Sequence, residues 1–237
     1  MRVLVTRPQP DTGDTAGKLI EHGHDPVLAP LLEISPQPDA TVDLGGVQAV
    51  LFTSANAARA FAAASARRDI AVFAVGASTA AAAQKEGFQR IESADGDVEA
   101  LAASVGGQLE PKNGRLLHVA GTAVAGDLSA RLSAEGFDIT RTVLYRAEMA
   151  KKLPNNVILG LKQGEIDAIT FFSPRTAAGF AELAAAAGLE DACRDVHAVC
   201  LSAAVAEKLA GIGFLSVGVA RKPDQDHLLA ALDTIST

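Results

Sequence analysis

The sequence predicts an α/β fold made of two similar three-layer domains, each built on a parallel sheet. Three observations support this prediction: short β-branched runs alternate with alanine-rich helical patterns, several runs are apolar throughout, and the chain contains an internal repeat. Alternating strands and helices form parallel sheets with helices on both faces. Runs such as AVLF and AITFF are typical of strands that are buried on both faces.

The alternation runs along almost the whole chain. Strands are predicted at the β-branched runs, namely Val3–Val5, Val27–Ala29, Ala49–Thr53, Val72–Val75, Leu116–Val119, Ile139–Leu144, Ala168–Phe172, Val196–Leu201 and Leu215–Val217. Helices are predicted between them, at Thr12–His22, Ala55–Ala66, Ser78–Glu86, Val98–Val105, Ala123–Glu135, Val157–Lys162, Arg175–Ala187, Ala203–Ala210 and Gln225–Thr234.

Three segments of the chain resemble three later segments, in the same order. The aligned pairs lie 113, 119 and 126 residues apart: Arg2 with Arg115, Ser54 with Ser173, and Gly76 with Ser202. The spacing grows only slightly from one pair to the next, as loop insertions between repeated units would cause. We therefore infer a duplicated α/β unit.

Two segments with little helical pattern interrupt the alternation at equivalent places in the two copies. APLLEISPQPDA follows the second strand, and VLYRAEMAKKLPNN occupies the matching position later in the chain. We interpret both as linkers, near residues 35–38 and 145–149. Domain 1 is then discontinuous, with residues 1–35 plus 150–237, and domain 2 spans residues 39–144. Two sequential domains divided near Gly114 remain the alternative.

Composition and charge disfavour several kinds of partner. Only 4% of the 237 residues are aromatic and none is Trp, so few rings are available to stack on nucleic-acid bases. The net charge of −7 disfavours a surface for nucleic acid or for an anionic membrane. We expect a small-molecule ligand with local basic contacts and, because no apolar stripe stands out, a monomer.

The cysteines and the first residues bear on location. Cys193 and Cys200 are too few for a disulfide scaffold and are expected to be reduced, buried thiols. The opening MRVLVTRPQP enters a strand pattern at once, without the apolar core of a signal peptide. No apolar run is long enough to span a membrane. These features predict a cytoplasmic protein.

Small, hydroxylated or basic residues follow the predicted strands. Parallel sheets bind ligands beyond the carboxyl ends of their strands, and the helix N-termini there offer free N–H groups to anions. We expect these ends of both copies to face one shared cleft. The candidate substrate-binding residues are Thr6, Arg7, Ser54, Gly76, Ser78, Thr79, Ser173, Arg175 and Ser202.

Some of the candidates also have a purely structural interpretation. Ser54 and Ser173 occupy N-cap positions, although capping leaves the neighbouring N–H groups available. Arg7 and Arg175 also fit solvated surface cations. Tyr145, the only tyrosine, begins the second linker. It is either a buried structural residue or, being protonated at neutral pH, a general acid or hydrogen-bond donor.

The sequence lacks the common motifs for cofactor, metal or covalent chemistry. It contains no GxxxxGK[ST] loop, no strand–GxGxxG–helix fingerprint and no GxSxG elbow. His22 and His24 have no third ligand at a recognisable spacing, so we interpret them as solvated. His118 ends a strand, and we assign it a structural role. An enzyme with this sequence would lack an obvious metal or organic cofactor.

The segments together resemble the uroporphyrinogen-III synthase family over essentially the whole chain. The resemblance rests on the order and spacing of VLVTRP, HGHDPVLAPLLEI, AVLFTSANAARAF, AVGASTAAAAQKEGF, VLYR and AITFFSPRTAAGF. It implies two α/β domains joined by a two-stranded connection, with the first domain split in sequence. It also implies a cofactor-free reaction of tetrapyrrole biosynthesis. Hydroxymethylbilane, a linear tetrapyrrole polycarboxylate, is cyclised to uroporphyrinogen III with inversion of ring D and loss of water.

The resemblance also implies roles for individual residues. Tyr145 matches the family tyrosine suggested to assist departure of the hydroxyl group. Matching binding turns are Thr6-Arg7, the FTS and FFS turns at Ser54 and Ser173, and the VGxxT turn at Gly76, Ser78 and Thr79. The last family turn often reads IGxxTA, whereas this chain has LSAAVA, with Ser202 for the glycine and Val205 for the threonine. That departure removes one hydroxyl from the expected site.

Two other functions fit the sequence. A two-lobed sensor or binding protein would bind a small molecule without chemistry. A glycosyl- or nucleotide-sugar enzyme built from two α/β domains would bind a nucleotide, for which the sequence has no phosphate loop.

Overall fold

The computed structural model describes residues 1–38, 40–123 and 127–235. The chain divides into two compact units, of which unit 1 comprises Met1–Glu33 and Glu148–Thr237 and unit 2 comprises Ile34–Ala147. Each unit has one sheet that is covered on both faces by apolar clusters. The predicted α/β class, with parallel sheets in three layers, is confirmed.

The described residues form eleven strands and nine α-helices. The strands are β1 (Arg2–Val5), β2 (Asp25–Leu28), β3 (Leu32–Pro36), β4 (Val47–Phe52), β5 (Ala71–Ala74), β6 (Arg90–Ser93), β7 (Arg115–Gly121), β8 (Ile139–Met149), β9 (Ala168–Phe171), β10 (His197–Cys200) and β11 (Ser216–Val219). The helices are α1 (Asp11–Glu21), α2 (Ala55–Ala64), α3 (Ala77–Lys85), α4 (Val98–Gln108), α5 (Leu128–Ala134), α6 (Asn155–Lys162), α7 (Pro174–Ala186), α8 (Ala203–Ala206) and α9 (Gln225–Ile235).

The sheet of unit 1 has the order β11-β10-β9-β1-β2, and all its described pairings are parallel. Side chains of a strand alternate between the two faces of its sheet. Val3 and Val5 pack in one cluster with Leu228, whereas Leu4 packs in another with Phe171. Strand β1 is therefore apolar at every one of these positions because both of its faces are buried.

The sheet of unit 2 has the order β3-β8-β7-β4-β5-β6. Apart from β3, its strands match those of unit 1 one for one, and they follow the same spatial order. Strand β3 lies beside β8. Two backbone hydrogen bonds flank this pair, from the Gln37 amide to the Leu144 carbonyl and from the Ala150 amide to the Leu31 carbonyl, each 2.9 Å long. The later residue of one segment thus pairs with the earlier residue of the other. Strand β3 is therefore an antiparallel edge strand on an otherwise parallel sheet.

Three phenylalanine rings form the same cluster in each unit, which supports the inferred duplication. Their centroids lie 5.3–6.4 Å apart, at distances typical of favourable aromatic pairs. The cluster of unit 2 is Phe52, Phe61 and Phe88, and that of unit 1 is Phe171, Phe180 and Phe214. Gly23 and Gly136 are also equivalent: each follows a helix, and their φ angles are positive, at 79° and 90°.

The structure differs from the prediction in a few elements. Strands β3 and β6 were not predicted as strands. The segments interpreted as linkers are partly strand, because 35–36 belong to β3 and 145–149 belong to β8. Helix α5 begins at Leu128 rather than Ala123, and residues 124–126 of the predicted helix lie outside the described residues. Asp39, the first residue of predicted domain 2, also lies outside them.

Two further expectations concern cysteines and membrane spans. Cys193 and Cys200 are free and fully buried, as predicted. Burial raises the pKa of the Cys200 thiol to about 12, so it is neutral at physiological pH. Across the described ranges, none of the helices has both the length and the apolar character that crossing a membrane requires.

Candidate functional site

Each sheet reverses its strand order once, between β9 and β1 in unit 1 and between β4 and β7 in unit 2. Ligands of open parallel sheets bind beyond the carboxyl ends of the strands at such a switch point. Ten sequence-predicted residues lie at or near the carboxyl edges of the two sheets. Unit 1 holds Thr6, Arg7, Ser173, Arg175 and Ser202, and unit 2 holds Ser54, Gly76, Ser78, Thr79 and Tyr145.

Tyr145 and Ser54 form the central contact of the unit 2 edge. The Tyr145 hydroxyl lies 2.9 Å from Ser54 Oγ, and either group can be the donor. Ser54 caps helix α2, because its Oγ accepts the Ala57 amide hydrogen at 3.1 Å. Tyr145 is only 8% exposed, and its ring packs in the cluster that contains Phe52. The structure thus joins the capping serine and the tyrosine that the sequence analysis treated separately.

The Gly76 turn follows the neighbouring strand, β5. Strands β4 and β5 are paired in register, and the Val75 amide donates to the Phe52 carbonyl at 3.0 Å, so this turn lies next to the Ser54 turn. Gly76 is the N-cap of α3 and has no side chain with which to cap that helix. Ser78 is exposed, whereas Thr79 is buried. The first turn of α3 therefore offers backbone N–H groups at the same edge as Tyr145.

His118 is a buried residue in the middle of β7, not at the end of a strand as the sequence predicted, because β7 continues to Gly121. Its Nε2 lies 3.4 Å from Thr53 Oγ1, and Nδ1 has no hydrogen-bond partner within the described part of the chain. Burial lowers the pKa of His118 to about 4, and the positive charge of Arg141 adds to that effect. His118 is therefore neutral at physiological pH.

At the unit 1 edge, Thr6 and Arg7 make contacts inside the unit. Thr6 is fully buried, and its hydroxyl donates to the Thr170 carbonyl at 2.8 Å, which fixes β1 to β9. The Arg7 guanidinium lies 4.1 Å from the centroid of the Phe172 ring and pairs with Asp11 at 3.2 Å. It also donates to Gln225 at 2.6 Å. These contacts give both residues structural roles within unit 1. The Arg7 side chain is only 10% exposed, so Arg7 is not the solvated surface cation that was one alternative.

The remaining unit 1 candidates lie at the turns after β9 and β10. Ser173 caps α7, because its Oγ accepts the Thr176 amide hydrogen at 3.1 Å, in the same geometry as Ser54. Arg175 is exposed in the first turn of the same helix. Ser202 is the N-cap of the short α8, and its side chain forms no capping hydrogen bond. Val205, which replaces the family threonine, is buried.

Two residues of the unit 2 edge were not among the predicted site residues. Gly121 ends β7 directly against the Tyr145 ring, and Arg141 donates to the Gly121 carbonyl at 2.7 Å. The sequence shows Gly121 as one more small residue after a strand. Arg141 alternates with threonines in a predicted strand, TRTVLYR, which is the one pattern that could have marked it as a surface cation beside the site.

The chemistry available at these edges is that of hydroxyls, backbone amides and a few cations. In the described residues, His, Cys, Asp and Glu side chains do not gather into any group of three that could hold a metal ion. Helix N-termini and arginines suit carboxylates, and the Tyr145 hydroxyl can either donate or accept a hydrogen bond inside a largely apolar setting.

Known proteins resemble this chain in sequence and in fold. The family model described as uroporphyrinogen-III synthase HemD matches residues 13–230. No curated protein sequence matches the chain significantly. Among solved structures, uroporphyrinogen-III synthetase from Helicobacter pylori is 17% identical with a TM-score of 0.65, covering 99% of this chain and 100% of that one. A mutant uroporphyrinogen III synthase from Thermus thermophilus is 19% identical with a TM-score of 0.58, covering 99% of both chains.

The two kinds of comparison support different conclusions. At these identities the solved structures show that the fold is shared across the full length of the chain. The family match covers residues 13–230, which is nearly all of the sequence, although Thr6 and Arg7 precede it. The chain belongs to the uroporphyrinogen-III synthase family.

Proposed function

We propose that the chain cyclises hydroxymethylbilane to uroporphyrinogen III, with inversion of ring D and loss of water, and that Tyr145 assists the departure of the hydroxyl group. Membership of the family supports the reaction, which belongs to tetrapyrrole biosynthesis. The observation that supports the role of Tyr145 is its hydroxyl contact with Ser54 at the switch point of the unit 2 sheet.

The hydrogen bonds around Ser54 favour a Tyr145 that donates its proton outward. Ser54 Oγ already accepts the Ala57 amide hydrogen at the positive end of α2. Its own hydrogen is then available to the Tyr145 oxygen, 2.9 Å away. Tyr145 in that arrangement accepts from Ser54 and keeps its own proton for the leaving hydroxyl of the substrate. A positioned donor of this kind acts as a general acid.

Backbone amides and one arginine are proposed to bind the substrate carboxylates. In unit 2 these are the amides of the Gly76 turn, with the exposed Ser78 beside them. In unit 1 they are the amides at the start of α7, with Arg175 in the same turn. Such helix starts bind anions through free N–H groups and the helix dipole. Ser202 is proposed to contribute through its backbone alone.

Positioning is proposed to account for most of the catalysis. The free bilane closes without rearrangement, so the enzyme has to hold the chain where the direct closure is blocked. Bound geometry of this kind lowers barriers by removing orientational freedom before the reaction. This role needs donors fixed by the fold rather than a strongly perturbed acid–base pair.

A direct assay tests the proposed function. The purified chain is supplied with hydroxymethylbilane, and the porphyrinogen isomers are separated after oxidation. We expect isomer III in place of the uninverted isomer that forms in buffer alone. Formation of the uninverted isomer at the buffer rate would contradict the proposal. Tight binding of the bilane without turnover would favour the sensor alternative, and nucleotide binding would favour the nucleotide-sugar alternative.

The proposal extends to assembly and location. We propose that the chain acts as a monomer in the cytoplasm, as the sequence predicts. Sedimentation of the purified chain at assay concentrations tests the first point, and a dimer there would contradict it. Fractionation of cells that express the chain tests the second.

A further inference from the structure

Tyr145 lies on a face of its sheet that regular strand geometry would not give it. Strands β7 and β8 pair residue for residue from Leu116 with Ile139 up to Ala120 with Val143. The next pair is Gly121 with Tyr145, so Leu144 is skipped. One extra residue in a strand is a β-bulge, which bends the strand and redirects its side chains.

The skipped residue moves Tyr145 to the opposite face. Successive side chains alternate between faces, so without the bulge Tyr145 would share the face of Arg141 and Val143. Instead, Leu144 and Tyr145 are consecutive residues that both pack in the cluster of Phe52 and Val119. Ser54 follows Phe52 at the end of β4 and meets the Tyr145 hydroxyl there. The bulge therefore creates the contact between Tyr145 and Ser54.

Gly121 makes room for the ring at the bulge. A Cβ atom on Gly121 would lie 2.6 Å from Tyr145 Cε2 and 2.8 Å from Cζ, closer than real Cβ contacts come. The φ of Gly121 lies outside the left-handed region, so only this contact excludes a side chain. The Thr122 amide also donates to the Tyr145 carbonyl at 3.1 Å, and Arg141 holds the Gly121 carbonyl.

We infer that Gly121 is a positioning residue for the reaction: with the Leu144 bulge, it holds the Tyr145 hydroxyl against Ser54. This inference rests on the proposed role of Tyr145. Even one methyl group at position 121 has to displace the ring, and through it the hydroxyl. Misplacing a reacting group by about 1 Å lowers rates by up to about 100-fold.

The chain contains a built-in probe for this displacement. Tyr145 is its only tyrosine and it has no tryptophan, so tyrosine fluorescence reports on this one ring. The test compares Gly121→Ala with Gly107→Ala, in which the added methyl group meets nothing within 4 Å. Acrylamide quenching of the fluorescence measures how exposed the ring is, and steady-state kinetics measures kcat and KM.

We expect Gly121→Ala to increase quenching and to lower kcat by about tenfold with little change in KM. Gly107→Ala should match the unsubstituted chain in both measurements. In a Tyr145→Phe background, Gly121→Ala should lower kcat little further, because its effect passes through the lost hydroxyl. Unchanged quenching and kcat in Gly121→Ala would overturn the inference, and so would a further tenfold loss in the Tyr145→Phe background.

Stability provides a second measurement if Gly121→Ala folds poorly. Removing the ring removes the clash, so Gly121→Ala combined with Tyr145→Ala should melt at the temperature of Tyr145→Ala alone. A large additional loss in the double variant would contradict the inference. Failure of the proposed role of Tyr145 can be distinguished from failure of the inference about Gly121. In the first case Tyr145→Phe would keep full kcat, while quenching would still report whether Gly121 positions the ring.

Discussion

The Tyr145 hydroxyl and Ser54 Oγ lie 2.9 Å apart, and the same serine oxygen accepts the amide hydrogen of Ala57 in the first turn of helix α2. One serine thus couples a helix N-terminus to the only tyrosine of the chain. Ser54 therefore has two roles that can be measured independently. Capping of the helix affects stability, whereas orientation of the Tyr145 phenol affects turnover.

Replacing Tyr145 with Phe removes the hydroxyl and keeps the ring that packs beside Phe52. We expect kcat to fall by about 100-fold, the usual contribution of a positioned general acid, while KM changes little. Steady-state kinetics with hydroxymethylbilane measures both constants. A Tyr145→Phe variant with full kcat would remove the residue from the mechanism.

Replacing Ser54 with Ala should affect both stability and turnover. Loss of the N-cap costs about 1 kcal/mol of the free energy of unfolding. Loss of the contact with Tyr145 should also lower kcat, because the phenol is no longer oriented. Denaturant unfolding and the isomer assay measure the two effects.

Asp97 provides the matched control for Ser54. It caps α4 in the same unit, where its Oδ1 accepts the Glu99 and Ala100 amide hydrogens at 3.0 Å. Asp97→Ala should therefore lose about 1 kcal/mol of stability with kcat unchanged. If the two alanine variants lost turnover equally, the kinetic effect of Ser54 would be an effect of stability alone.

Replacing Arg175 with Gln should weaken substrate binding in a salt-dependent manner. Arg175 is exposed at the start of α7, where charge contacts with a polycarboxylate are screened by added salt. We expect KM to rise most at low ionic strength and to approach the unsubstituted value at high ionic strength.

Arg194→Gln controls for the change in net charge. Arg194 lies in the same unit, in the short helix before the amino end of β10, and forms only an exposed ion pair with Asp191 among the contacts described. Its loss should leave KM and the salt dependence unchanged. Equal effects of both substitutions would indicate long-range attraction rather than a contact at Arg175.

The stability of the chain should depend on His118 at mildly acidic pH. His118 takes up a proton near pH 6.5 when unfolded, but only near pH 4 in the folded chain. Between these values the unfolded state binds more protons, so the free energy of unfolding rises with pH across that window. Neutral His118 thus contributes about 3 kcal/mol to the free energy of unfolding above pH 6.5, and this contribution is lost as the pH falls toward 4.

His118→Gln measures this contribution because glutamine does not titrate. Its free energy of unfolding should fall less between pH 6.5 and pH 4 than that of the unsubstituted chain, as measured by urea unfolding at several pH values. Parallel curves for the two proteins would show that His118 does not titrate in this way.

Arg68 should be important for the stability of unit 2, unlike its neighbour Arg67. Its guanidinium donates to the carbonyls of Ala62, Ser65 and Glu86, which lie at the ends of α2 and α3. Removing these bonds leaves helix-end carbonyls without their donors, and Arg68→Ala should cost about 2 kcal/mol. Arg67 forms an exposed ion pair with Asp69, so Arg67→Ala should cost much less. Equal costs would contradict this assignment.

Much of the fold could be predicted from the sequence because the pattern of each copy repeats the pattern of the other. Strand β4 and helix α2 were predicted from AVLFTSANAARAF, whose equivalent AITFFSPRTAAGF forms β9 and α7. Strand β6, RIES, was missed because it is a short edge strand in which charged residues are exposed. Strand β3 was predicted as part of a linker, because its single proline, Pro36, is compatible with an extended crossing as well as with an edge strand.

The candidate site was less predictable, because its contacts depend on register. Ser54 was identified as an N-cap from its position after a strand, and the structure confirms the capping bond. Its contact with Tyr145 depends on a single skipped residue in β8, which no periodicity reveals. Arg7 was identified by its position after β1. Its contact partners Phe172 and Gln225 are distant in sequence, so the sequence could not reveal them.

Unit 1 consists of two chain segments with unit 2 inserted between them. This arrangement sets the order in which the two sheets become complete during synthesis. Strand β1 lies inside the unit 1 sheet, yet Val3 pairs with Ala168, which the ribosome adds only after all of unit 2. Unit 2 is contiguous, and the last strand of its sheet, β8, ends at Met149. Because domains fold as they emerge, the inserted half is complete while the first strand still lacks one neighbour. The nascent chain must keep the apolar side chains of β1 from other partners until its second half is made.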